Sequence, residues 1–234
     1  MSPSAASAPL HLLQAGARQL GLDLSPAVLS AFQFYCTTLL QWNRRVNLTG
    51  LRTAADVMVR HFVDSLAVWR WVHDLADLAD LGSGAGFPGL PLKIVFPHLH
   101  LTLVEAHAKK AAFLQYLVAH LALSGVEVRQ VHLTPALAQR WGPVFQGIIT
   151  RATWPLDRYV DLAAPLLRPG GRLLAMRGPR EEVDTWHRAL ESGHHHGLSQ
   201  PREEEYELPM ESGRPAARAA PPDPHTGPAA RWPE

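Results

Sequence analysis

The 234-residue sequence predicts a doubly wound α/β fold, with a mostly parallel sheet and an N-terminal helical extension. Three observations carry this expectation. After residue 75, short apolar segments alternate with helical ones, the pattern of a parallel sheet covered by helices. A glycine-dense loop, Gly82-Ser83-Gly84-Ala85-Gly86-Phe87-Pro88-Gly89, directly follows the first apolar segment. Before residue 75, apolar residues recur only at helical spacing.

The elements follow in chain order. Met1 to Pro9 is rich in Ser, Ala and Pro and reads as a flexible start. Residues 10–74 form the helical region. Ser25 is suited to cap a helix and Pro26 to open it. Val28, Leu29, Phe32, Cys36, Leu39 and Leu40 then mark one apolar face, on which Cys36 reads as inert core and Trp42 as a core aromatic. Thr53 is a second cap, followed by Val57, Phe62, Leu66, Trp69 and Val72. In residues 75–200 the expected strands are 76–81, 99–104, 126–131, 145–150 and 171–177. The expected helices lie near 88–96, 107–123, 135–141, 155–168 and 180–191. From Pro201 onward, 8 of the chain's 20 prolines fall in 34 residues, so 201–234 reads as an atypical Pro-rich tail.

Composition excludes several classes. Hydrophobic residues make up 47% and charged residues 18%, a globular balance. One cysteine excludes an intrachain disulfide. No apolar run approaches a membrane span, and residues 1–10 lack a basic start, so a cytoplasmic protein without a membrane partner is expected. His194-His195-His196 reads as a solvated loop, because adjacent histidines cannot all face one ion, and no metal is expected. The net charge of +1 is uneven. The tail holds four Arg against seven Asp and Glu, which leaves the rest of the chain mildly basic. Arg44, Arg45, Arg52 and Arg60 face only Asp56 between residues 41 and 61. Such a patch is either a solvated helix face or a phosphate-binding surface.

Ligands of a doubly wound sheet sit at the carboxyl ends of its strands. Alternate glycines after residue 81 allow a sharp turn and close backbone approach to a ligand. Pro88 is placed to open the next helix, whose free amides favour a negative group. Gly84-Ala85-Gly86-Phe87-Pro88-Gly89 fits the dinucleotide pattern G-x-G-x-x-G. Asp80-Leu81-Gly82-Ser83-Gly84-Ala85-Gly86 instead fits the Asp-x-Gly-x-Gly-x-Gly pattern of class I S-adenosylmethionine methyltransferases. Glu105 ends the second strand, where either class binds ribose hydroxyls, so it supports a nucleoside cofactor without separating the two.

Five ordered segments resemble the RsmG (GidB) family of bacterial guanine-N7 methyltransferases acting on small-subunit ribosomal RNA. They are Trp42-Asn43 with Asn47-Leu48-Thr49; Arg60-His61-Phe62-Val63-Asp64-Ser65-Leu66; the glycine loop through Phe87-Pro88-Gly89-Leu90-Pro91-Leu92; Glu105 with Lys109-Lys110 and Phe113-Leu114; and Ile149-Thr150-Arg151-Ala152. Gly170-Gly171 to Arg177-Gly178 also resembles the family's fifth strand. The resemblance covers about residues 10–180. It implies a class I, Rossmann-like fold, S-adenosyl-L-methionine as cofactor, and 16S ribosomal RNA or the small ribosomal subunit as partner, with the protein a monomer. It implies cofactor contacts at Gly82 and Phe87, ribose binding by Glu105, and Leu133 and Thr134 beside the adenine. Asp80, Gly84 and Gly86 would shape the pocket, with Arg151 near it. Arg60, His61 and Arg151 are positioning candidates. Arg44, Arg45, Arg60, Lys109 and Lys110 are RNA-binding candidates.

The chain departs from the family at three places. His132-Leu133-Thr134-Pro135 stands where acidic residues are usual, so backbone groups would meet the adenine. Phe145-Gln146 replaces Phe-Asp. No apolar last strand follows Met210, which puts the seventh strand in doubt. Guanine N7 carries a lone pair and no hydrogen, so it can attack a methyl group in line without a general base. No catalytic acid or base is therefore assigned. Two other functions compete: a NAD-dependent oxidoreductase, resting on residues 84–89, and a non-catalytic RNA-binding protein, resting on the altered third-strand loop and ending.

Overall fold

The computed structural model describes residues 9–151, 153–177 and 183–198, with Glu204, Tyr206 and Leu208. The readings of residues 1–8, of Ala152 and Gly178 in their motifs, and of nearly all of the tail lie outside these residues.

Five parallel strands form one sheet in the order β3-β2-β1-β4-β5. They are β1 (Asp77–Leu81), β2 (His100–Glu105), β3 (Val126–Gln130), β4 (Phe145–Arg151) and β5 (Leu167–Met176). Strand order reverses between β1 and β4, so the loops leaving Leu81, Glu105, Gln130 and Arg151 meet at one edge. That edge carries the site described below.

The N-terminal segment begins with α1 (Leu10–Gln19) and α2 (Pro26–Asn43). Ser25 Oγ accepts from the Val28 amide, with Pro26 in the first turn, as the sequence leads one to expect. Thr53 Oγ1 likewise accepts from the Asp56 amide and starts α3 (Ala54–Val57). The chain then departs from a regular helix. Residues Met58–Val63 form a π-helical turn before α4 (Asp64–Leu66). This wider turn explains why Val57 and Phe62, five residues apart, are both fully buried on one face.

Four longer or capped helices pack around the sheet: α5 (Gly89–Val95), α6 (Ala108–His120), α7 (Pro135–Trp141) and α8 (Leu156–Ala163). A further helix, α9 (Val183–His195), packs on α8. The expected helix over 155–168 stops at Ala163, where a short 3₁₀ turn containing Pro165 takes over. Strand β5 therefore starts at Leu167 rather than 171, and its pairing with β4 is irregular between Phe145 and Gly147. His194 and His195 end α9 instead of lying in a loop, with exposed side chains.

Two apolar clusters sandwich the sheet. One joins Leu13, Phe32, Phe62 and Leu66 of the N-terminal segment to Leu101, Leu103, Phe113 and Ile149. Residues 10–74 thus share one core with a face of the sheet. Tyr206 and Leu208 also pack on this cluster. The second cluster gathers Ile148, Tyr159, Val160, Leu162 and Leu173 on the other face.

Tyr159 joins that second cluster to the sheet. Its fully buried hydroxyl lies 2.9 Å from the Ile148 carbonyl and 3.0 Å from the Leu174 carbonyl. Tyr159→Phe keeps the ring and leaves both oxygens without this donor, so stability should fall by about 1–2 kcal/mol. Urea unfolding checks this; an unchanged midpoint would show that the hydroxyl is not needed there.

Candidate cofactor and substrate site

The glycine loop is held by backbone bonds from β2. The Gly82 and Ser83 amides both donate to the Val104 carbonyl, at 2.9 and 3.1 Å. Gly82, Gly84 and Gly86 adopt φ of +70°, +59° and +100°, which side-chain-bearing residues rarely reach. A Cβ at Gly82 would collide with Thr153, and one at Gly86 with Leu90 and the Tyr35 hydroxyl. At Gly84 an added Cβ would meet only the Gly82 carbonyl, 3.9 Å away, so the loop faces open space there.

Asp80 is fully buried at the end of β1. Its Oδ2 accepts from the Gly89 amide at 2.8 Å, and Oδ1 has no partner among the described residues. This corrects the expectation of free amides at the start of α5. The Gly89 amide is taken by Asp80, the Leu90 amide by the Gly86 carbonyl and the Leu92 amide by Pro88, while Pro91 has none. These amides are satisfied within the chain and offer a pyrophosphate no free donor, which counts against the NAD reading of residues 84–89.

Next to the loop is a cleft of about 400 Å³, within the range of pockets that enclose small ligands. Gly82, Gly84, Phe87, Glu105, Leu133, Arg151, His61 and Lys110 line it, with Thr49, His107, His132, Thr153 and Trp154. Asp80, Gly86 and Thr134 do not. Asp80 and Gly86 shape the loop from behind, and Thr134 caps α7 by accepting from the Leu137 amide at 3.2 Å. Arg44, Arg45, Arg60 and Lys109 carry exposed side chains outside the cleft wall.

Glu105 is buried to 4% exposure, and its two oxygens accept from the Gly84 and His107 amides, each at 2.8 Å. The carboxylate is thereby fixed at the cleft wall with lone pairs to spare. Gln146 braces the start of β1: its side-chain Oε1 accepts from the Ala76 amide and its backbone amide donates to Asp77 Oδ1.

The opposite wall is a chain of hydrogen bonds reaching from β4 into the N-terminal segment. Arg151 Nη1 donates to Asp64 Oδ2 at 2.9 Å and to the Arg60 carbonyl at 3.4 Å. Arg151 Nη2 lies 2.9 Å from His61 Nδ1. A guanidinium only donates, so Nδ1 is the acceptor and the His61 proton sits on Nε2, which donates to Thr49 Oγ1 at 2.7 Å. Phe87 lies beneath both groups, with its ring centre 4.3 Å from the His61 ring and 4.9 Å from the Arg151 guanidinium carbon. Tyr35 stacks near-parallel on Phe87 and donates to the Ala85 carbonyl. Asn43 fixes the loop that presents Thr49. Its side chain accepts from the Leu48 and Thr49 amides and donates to the Thr49 and Leu51 carbonyls.

Sequence reasoning gave no role to Tyr35, Asp64 or Asn43. Asn43 and Asp64 lie inside the quoted motifs. The five-residue gap between Val57 and Phe62 was the signal for the turn that presents His61. Among the described residues, no group of three His, Cys, Asp or Glu side chains is placed to hold a metal. No helix among them is long and apolar enough to cross a membrane.

A parallel sheet of this order, with a glycine loop at its switch point and a buried carboxylate ending β2, fits a class I methyltransferase. Residues 28–200 match the family model GidB, rRNA small subunit methyltransferase G, and the chain belongs to that family. It is a methyltransferase. Curated relatives agree. The chain is 39% identical to Ribosomal RNA small subunit methyltransferase G of Geobacter metallireducens, over 77% of this chain and 82% of that protein. It is 43% identical to that of Chloroflexus aggregans, over 73% of each. It is 37% identical to that of Geobacter sulfurreducens, over 86% of this chain and 91% of that protein.

The half-buried His61 and the buried Asp80 oppose each other in their response to pH. Burial, helped by the Arg151 charge, lowers the His61 pKa from 6.5 to about 3. Burial raises that of Asp80 from 3.8 to about 7, against the Gly89 hydrogen bond. Between pH 3.8 and 6.5 the unfolded chain carries a His61 proton that the fold excludes, so this contribution makes stability rise with pH. Over the same window the fold keeps an Asp80 proton that the unfolded chain has released, so this one makes stability fall. Relative to wild type, His61→Gln should therefore lose stability as pH rises through the window, and Asp80→Asn should gain it. Urea unfolding at several pH values measures both differences; parallel profiles for all three proteins would refute the assignment.

Proposed function

We propose that the chain methylates N7 of a guanine in 16S ribosomal RNA, acting in the cytoplasm as a monomer on the small ribosomal subunit. When bound, S-adenosylmethionine supplies an electrophilic methyl group on its sulfonium. The residues present fit such a cofactor. Gly82 and Gly84 offer a close backbone approach, Glu105 offers carboxylate acceptors for ribose hydroxyls, and Leu133 an apolar wall.

The arrangement around Arg151 carries the reading of the substrate. Arg151 has five N–H groups, of which three meet Asp64, Arg60 and His61. Its Nε–H and one Nη2–H have no partner among the described residues, and the side chain lines the cleft. Guanine presents O6 beside N7 as acceptors on one edge. Donors to O6 would orient the base while leaving N7 free to attack in line. Asp64 offsets the guanidinium charge, so these donors face a base that becomes cationic without placing uncompensated positive charge beside it. His61 uses both ring nitrogens in the network, which removes it as a base. N7 needs none. Arg44, Arg45, Arg52 and Arg60 are exposed and make no ion pair among the described residues, leaving them open to RNA phosphates.

Methyl-labelled S-adenosylmethionine and small subunits from cells lacking the modification test the proposal. Label should appear on N7 of a guanine. Label on another atom, or none from a folded protein that binds the cofactor, would overturn it.

A further inference from the structure

The network around Arg151 does not end at Asp64. The two carboxylate oxygens of Asp64 are divided between two partners: Oδ2 accepts from Arg151, and Oδ1 accepts from the hydroxyl of Tyr206. Tyr206 lies 142 residues downstream, in the Pro-rich stretch whose sequence suggested no element. Its ring is partly buried, and with Leu208 it packs on the cluster that joins the N-terminal helices to the sheet. Arg151 and Asp64 are each 17% exposed, so both are largely withdrawn from water.

A carboxylate holding one partner through one oxygen can still swing about its χ2 angle. Binding the second oxygen removes that freedom. The Asp64 carboxylate is held from both sides, and among the described residues it is the one acidic side chain paired with Arg151 over Phe87. We propose that Tyr206 is a positioning residue of the methyl transfer, a latch from the C-terminal segment that fixes Asp64 and, through it, the two uncommitted Arg151 donors facing the cleft. This rests on the reading of Arg151 as the group that orients the base. The latch acts on substrate orientation. It does not touch the glycine loop or Glu105, so cofactor affinity is independent of it.

Tyr206→Phe removes the hydroxyl and keeps the ring. One hydrogen bond to a charged group is at stake, so kcat should fall about 10- to 100-fold, with S-adenosylhomocysteine affinity unchanged. In an Arg151→Gln background the same change should have no further effect on kcat, because the two residues act in series. A second readout does not depend on turnover. The ¹⁵Nη signals of Arg151, assigned by their loss in Arg151→Lys, report rotation of the guanidinium. Rotation should be slow in the wild-type protein and clearly faster in Tyr206→Phe. Unchanged rotation in Tyr206→Phe overturns the latch whatever the activity, as does an equal loss of kcat with and without Arg151. Faster rotation in a protein that binds cofactor but leaves 16S RNA unmethylated would support the latch and reject the proposed substrate.

Discussion

The Arg151 guanidinium leaves the end of β4 and is received by groups of the N-terminal segment: Asp64, the Arg60 carbonyl and His61. Most of what distinguishes the site depends on that reception. A planar, always charged donor set demands acceptors at fixed positions. His61 meets the demand only as the neutral Nε2–H tautomer, and it keeps that tautomer only because Thr49 accepts on its other side. Thr49 is in place because Asn43 satisfies the backbone around it. The π-helical turn over Met58–Val63 puts Arg60 and His61 beside the sheet edge. One charged group on a strand thus dictates the conformation of three separate N-terminal pieces.

This explains why the helical region is not an appendage. Its apolar residues fill one face of the sheet, and its polar residues complete one wall of the cleft. The opposite wall belongs to the sheet itself: the glycine loop, Glu105 and the stretch 131–133. The cleft is therefore divided by chemistry. The glycine loop and a carboxylate line one side, and a charge-compensated guanidinium on an aromatic floor lines the other. Such a division suits a reaction that needs alignment of two bound partners rather than proton transfer.

The sheet was largely legible in the sequence, because β1, β2, β3 and β4 are short apolar segments with glycine or proline at their borders. Strand β5 was read four residues late. Leu167-Arg168-Pro169 has no strand pattern of its own and joins the sheet through the Phe145–Leu167 pairing. The glycine loop and Glu105 were legible as neighbours at the strand ends, since positive φ and an acidic strand end leave clear marks, and the structure brings them together along one cleft. The dinucleotide alternative survived in the sequence because nothing there shows that Asp80 folds back onto the Gly89 amide. The side chain of Thr134 caps α7, a role that a threonine before proline signals in the sequence. The Tyr206–Asp64 bond spans 142 residues and left no local trace.

The most direct test of the account is a parallel calorimetric titration of the wild-type protein with S-adenosylhomocysteine and with NAD. With the Gly89, Leu90 and Leu92 amides consumed internally, S-adenosylhomocysteine should bind and NAD should not. Binding of NAD in preference to S-adenosylhomocysteine would contradict the account at its centre.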